Sequence, residues 1–159
     1  MSQSPIKVSS TEDILSMSGL EYMQEMLAGN VSPPPISGVM NYRIVEVSEG
    51  NVAFRGTPLH DHRNPWGAVH GGWYGTILDT CMGCAVMTML PKGSAYTTLE
   101  YKVNITRSIP LGMEVEARGT SQHAGRSTGI SRGEIRGVED GKLYATASTT
   151  CLVMTPSKS

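Results

Sequence analysis

Between Gly71 and Leu90 the chain carries Ile77, Leu78, Cys81, Met82, Ala85, Val86, Met89 and Leu90 along one broad helical face, with small residues over much of the rest. A helix that is apolar over so much of its circumference is buried, so the rest of the chain has to wrap it. The segment starts at Gly71 or Gly72 and ends at Pro91-Lys92-Gly93. Its purely apolar part, Cys81 to Leu90, is about half of what a bilayer requires and is interrupted by Gly83 and Thr88.

What wraps the helix is legible on both sides of it. After it, Leu99, Tyr101, Val103 and Ile105 alternate with Thr98, Glu100, Lys102, Asn104 and Thr106; Met113, Val115 and Ala117 alternate with Glu114, Glu116 and Arg118; and Leu143, Ala145, Ala147, Cys151 and Val153 line one side of another strand. Breaks at Pro110-Leu111-Gly112, Ala124-Gly125 and Glu139-Asp140-Gly141 divide this region into four consecutive strands, which short turns join antiparallel. Period two with a polar outer face describes a sheet covered on one side. Before the helix, Val39–Val47 and Asn51–Thr57 flank a turn at Glu49-Gly50-Asn51, and a slip of apolar phase between Ile44 and Val45 predicts a bulge. Two strands, one buried helix and four strands make an α+β arrangement, a curled antiparallel β-sheet wrapped around one long central helix.

The N-terminal part adds an extra helix. Thr11-Glu12-Asp13 caps a helix running to about Ala28 on Ile14, Leu15, Met17, Leu20, Met23 and Leu27; Gly29-Asn30 stops it, and Pro33-Pro34-Pro35 keeps the connection extended. The organisation is a tail over 1–10, a helix with its Pro-rich connection over 11–35, and one domain over 36–155. With 13 basic and 14 acidic residues the net charge is −1, which argues against nucleic acid or a membrane surface as partner. Residues 1–10 lack an apolar signal core, and three cysteines make an unlikely disulfide framework, so the expected location is the cytoplasm, where the Asn104-Ile105-Thr106 sequon has no glycosylation chemistry.

Unusual residues concentrate between Arg63 and Asp79. A loop rich in His, Pro and Gly, Pro58 to Val69, delivers Gly71-Gly72 to the start of the buried helix, where free N–H groups and partial positive charge suit a carbonyl oxygen that becomes an oxyanion. Asp79 lies within the apolar helix, where a lone carboxylate is either a satisfied structural group or a functional one. Gly71 and Asp79 are eight residues apart, roughly 12 Å along the axis. A carbonyl-polarising donor and an attacking carboxylate must both lie within about 3–3.5 Å of one small group. If the two act together, they come from different subunits of a two-fold dimer with antiparallel helices.

Asn64-Pro65, His70-Gly71-Gly72 and Asp79 resemble the motif of hotdog-fold acyl-CoA thioesterases of the phenylacetyl-CoA (PaaI-like) type; Thr98 to Asn104 and Gly125-Arg126-Ser127 resemble that family's next strand and a later turn. The resemblance spans about Val39 to Met154. It implies a hotdog fold and hydrolysis of acyl-CoA thioesters with aryl or medium-length acyl groups. It further implies that Asp79 is the catalytic carboxylate, as nucleophile or as base on water; that Gly71 supplies the polarising N–H, with Gly72 beside it; and that Asn64 holds the carbonyl or the water. His70 would shape the turn, Thr98 with Thr97 would orient water, and Arg126 and Ser127 would meet the pantetheine or phosphates. The partners implied are acyl-CoA as substrate and a second copy of the chain, with pairing of dimers into tetramers left open. No cofactor is called for, since CoA enters with the substrate. Trp66, Trp73 and Tyr74 are bulky for the motif and would narrow an acyl pocket.

Other chemistries have weaker support. His60-Asp61-His62 with His70 lacks a fourth ligand at metal-site spacing, so no metal is expected. Cys81-Met82-Gly83-Cys84 sits mid-helix, where thiols pack rather than react. Gly71, Gly72 and Gly75 match neither a dinucleotide nor a P-loop pattern. A hydratase or dehydratase of the same fold, and a non-catalytic acyl-CoA binding module, remain the alternatives.

Overall fold

A computed structural model describes residues 9–156. The expected tail over 1–10 falls almost wholly outside them. Three short helices, α1 (Thr11–Leu15), α2 (Gly19–Leu27) and α3 (Ile36–Val39), precede strands β1 (Tyr42–Ser48) and β2 (Asn51–Gly56). The long helix α4 (Gly71–Met87) follows, and then β3 (Ala95–Ile105), β4 (Val115–Ala124), β5 (Thr128–Gly137) and β6 (Leu143–Met154). The six strands form one sheet in the order β1-β2-β4-β5-β6-β3, every neighbouring pair antiparallel. This is the hotdog fold: a curled sheet around a central helix.

The helix is buried as its composition requires. Trp73, Tyr74, Ile77, Leu78, Cys81, Met82, Ala85 and Val86 are all at most 1% exposed. The sheet comes unusually close to it where β4 has no side chain: a Cβ on Gly119 would run into the Cys81 carbonyl. The turn before β2 uses Gly50 at φ +75°, and the register shift falls between Ile44 and Glu46, so the bulge at Val45 is where the apolar phase slips.

Three sequence expectations need correction. The front helix is broken. Ser10, not Thr11, caps α1 with Asp13 in a reciprocal box, and Ser18 caps α2 in the same way with Glu21. Continuity across Ser16 to Ser18 loses to these two caps and to Gly19, whose N–H donates to the Leu90 carbonyl (3.0 Å) where a Cβ would strike the Met87 carbonyl. Val39 closes a helical turn instead of opening a strand; Asn41 then takes φ 54° and β1 begins at Tyr42.

The third correction concerns strand neighbours. β3 does not pair with β4: residues 106–114 carry the chain back across the sheet, and β3 lies on the outer edge against β6. Its apolar positions are therefore only partly covered, with Leu99 58%, Tyr101 47% and Ile105 50% exposed. A residue alternation reports which side of a strand is apolar, not whether this chain supplies the cover.

Candidate active site

Asp79 sits half-buried in the middle of α4. Thr98 on β3 donates its hydroxyl to Asp79 Oδ1 at 2.8 Å, while Oδ2 has no hydrogen-bond partner among the described residues. Among the described residues no arginine or lysine pairs with the carboxylate. Burial pushes its pKa above the ordinary aspartate value, and the Thr98 hydrogen bond pulls it partly back. The neighbourhood is otherwise neutral: burial raises Tyr42, takes Tyr96 well above the usual phenol value and pushes the Cys84 thiol up to about 12. Among the described residues a single ionisable carboxylate thus stands among neutral groups, with one oxygen fixed and one available.

Asp79 opens into a cleft of about 350 Å³ that runs between α4 and the N-terminal helices, with Thr80, Cys84 and Met87 on one wall and Tyr22, Met23 and Met26 on the other. A broader depression of about 500 Å³ lies on the outer sheet face around Lys102, Arg118 and Arg132. None of the sequence-derived site residues lines it. Its charges are also partly neutralised, since Arg118 is bound to Glu46 and Glu116.

The start of α4 is built by its own loop. His70 is the N-cap, and its Nδ1 accepts the Gly72 N–H at 2.8 Å, so the ring holds the turn together. Gly71 is exposed, and its N–H has no partner among the described residues. Asn64 closes the preceding loop: its Oδ1 accepts from Trp66 N (3.0 Å) and Ala68 N (3.1 Å). Its side-chain amide has no partner among the described residues and remains a free donor. His70, Gly71 and Gly72 therefore form one group, preceded by the loop that Asn64 closes, and Asp79 with Thr98 form a second. About two turns of helix separate them.

The other named positions lie elsewhere. Thr97 is exposed opposite Leu152, on the outer face of the sheet, because successive strand residues alternate sides. Arg126 and Ser127 are exposed on the β4–β5 turn. The turn leads into Gly129, which packs on Val86, so it stands near the far end of α4, roughly 10 Å along the axis from Asp79. The bulky aromatics do not narrow the cleft. Trp73 is buried with Nε1 donating to the Met40 carbonyl (2.9 Å), the Tyr74 hydroxyl binds Arg107 O and Ile109 N, and Trp66 is 91% exposed.

The His60 ring contacts the Asp61 and Arg63 side chains, whereas His62 serves the backbone. His62 Nδ1 accepts from Leu59 N, and its Nε2 donates to the Val39 carbonyl. Among the described residues no three His, Cys, Asp or Glu side chains are grouped to hold a metal, and no helix is long and apolar enough to cross a membrane. The Cys81 thiol is buried within the core and raised well above its ordinary pKa by that burial.

Residues 67–144 match the family model described as the thioesterase superfamily. Among solved structures, a phenylacetic acid degradation-related protein of Ralstonia eutropha JMP134 is 29% identical, with TM-score 0.74 over 82% of this chain and 98% of that one. The PaaI protein of the E. coli phenylacetic acid degradation operon has the same fold at 19% identity, with TM-score 0.74 over 88% and 96% of the two chains. A Streptococcus mutans protein bound to acetyl-CoA also shares the fold, at 24% identity and TM-score 0.67 over 74% and 92%. No curated protein sequence matches.

Proposed function

We propose that this chain, which matches the thioesterase superfamily model over residues 67–144 and shares its fold with PaaI-like proteins, hydrolyses acyl-CoA thioesters at two composite sites of a homodimer. The observation that carries this reading is the Asp79–Thr98 pair, its carboxylate lining an apolar cleft, with Oδ2 bound by no donor among the described residues. Asp79 takes a proton from water as the water oxygen bonds to the thioester carbon. The carbonyl electrons move onto oxygen, where the Gly71 N–H of the second subunit meets them. Collapse of that oxyanion expels the CoA thiolate, which recovers the proton from Asp79. Thr98 fixes the carboxylate, and the free Asn64 amide holds the substrate carbonyl beside Gly71. Every group needed belongs to the chain or the substrate, so no separate cofactor enters the scheme.

Two features support the second subunit. Asp79 and the Gly71 N–H lie too far apart along one helix to reach the same carbonyl. The uncovered residues of β3 also lie beside the helix start: a Cβ on Gly71 would contact Ile105, and one on Gly75 would contact Tyr101. A long strand edge carrying exposed Leu99, Tyr101 and Ile105 is suited to pairing with another copy of itself, which brings a second α4 alongside the first.

Release of CoA thiol from a panel of acyl-CoA thioesters, read with a chromogenic disulfide, tests the activity. Catalytic release supports hydrolysis; stoichiometric binding of intact thioester supports a binding module instead, and water added to crotonyl-CoA without thiol release supports a hydratase. The pH profile carries a sign. The acid limb of kcat/KM should lie above the ordinary aspartate range, because burial raises Asp79. Thr98→Val removes the interaction that lowers it and should move that limb to higher pH. A limb that stays put in Thr98→Val would separate Asp79 from the titration.

A further inference from the structure

The cleft at Asp79 is closed largely by residues 9–34, which lie outside the matched family segment. On α4, Thr80, Cys84 and Met87 recur at i, i+4 and i+7 and make one stripe leading away from the carboxylate. Facing them are Tyr22, Met23 and Met26 of α2, at 8%, 1% and 7% exposure. α2 is held in place by the Gly19 N–H on the Leu90 carbonyl and by the Ser18 capping box. Among the described residues, Asp79 is the only charged one lining this space.

We propose that α1 and α2 form the acyl-chain pocket of the site, and that it takes a medium-length apolar acyl group running from Asp79 toward Met87 beneath Met23 and Met26. The proposal rests on Asp79 being the hydrolytic carboxylate. From Asp79 to Met87 is eight residues, roughly 12 Å of helix. An extended chain covers about 3.5 Å for every three bonds, so the pocket accommodates about ten bonds. Its volume of about 350 Å³ lies within the usual range for small-molecule sites, ~300–1,000 Å³. Thioether walls adapt to a flexible chain better than to one rigid shape.

The test is the chain-length profile of kcat/KM over acetyl-, butyryl-, octanoyl-, decanoyl- and dodecanoyl-CoA, with phenylacetyl-CoA alongside. For the wild type, kcat/KM should rise at least tenfold from acetyl to octanoyl or decanoyl. Met26→Trp should lower the decanoyl-to-acetyl ratio tenfold or more, and Met26→Ala should move the optimum to longer chains. A wild-type profile that is flat, or that peaks at acetyl- or phenylacetyl-CoA, overturns the proposal without needing either variant to fold. Equal losses for all acyl groups in Met26→Trp overturn it too. If these outcomes occur while Asp79→Asn is inactive, the pocket is wrong and hydrolysis stands. Hydrolysis persisting in Asp79→Asn overturns the catalytic reading itself.

Discussion

Asp79→Asn should lower kcat for thioester hydrolysis about 10³-fold, within the span of ~10²–10⁴ expected for losing a positioned acid–base group. The amide keeps the shape and still accepts the Thr98 hydroxyl, so the loss reports charge and basicity rather than packing. Stability should move the other way. Burial raises the native pKa of Asp79, so the native state binds its proton more tightly than the unfolded chain does. Folding stability therefore falls as pH rises from the ordinary aspartate value through the raised native one, and stays at that lower level above it. At neutral pH the Asn variant should unfold at the same temperature or a few degrees higher. Thermal melts with single-turnover rates check both; a variant that loses stability and activity together would mark Asp79 as structural.

Gly71→Pro should lower kcat by about 10²–10³ with much less effect on KM, because an oxyanion donor acts mainly on the transition state. The substitution suits the fold. Gly71 is the first residue of α4, where proline is tolerated, and His70 at φ −62°, ψ 137° already has the extended conformation that precedes proline well. A Cβ there would meet Ile105 only at ordinary contact distance, 3.7 Å. The change removes one N–H that no described residue uses. Undiminished turnover in a folded Gly71→Pro protein would remove this amide from the mechanism.

The parts of this molecule that were legible in the sequence are those set by local pattern. The helix from Gly71, the bulge at Val45, the turn at Gly50 and the strand alternation each follow from spacing within about a dozen residues. What the pattern leaves out depends on distant partners. α1 stops at Leu15 and Ser18 starts a new helix because Gly19 docks on Leu90 and Met87, some seventy residues later. β3 reads as a neighbour of β4, but its partner is β6, across a connection whose direction no periodicity encodes.

The site divides along the same line. His70, Gly71 and Gly72 are adjacent in sequence and make up the start of α4, Asn64 closes the loop before it, and Asp79 meets Thr98 across the fold. Thr97 is turned away by strand alternation, and the Arg126-Ser127 turn stands near the other end of the helix from Gly71. Nothing local marks Tyr22, Met23 and Met26 as pocket walls. Their one sequence signal, methionines on a helix with an otherwise ordinary apolar stripe, does not distinguish a pocket wall from a core.

The central claim is that an amide from one subunit and a carboxylate from the other act on the same thioester. Mixing Asp79→Ala with Gly71→Pro under conditions of demonstrated subunit exchange tests it most directly. Random pairing makes about half of the dimers mixed, and each mixed dimer restores one of its two sites, so activity should recover to about a quarter of the wild-type value. Mixed dimers that form and remain as inactive as the parents would contradict shared sites.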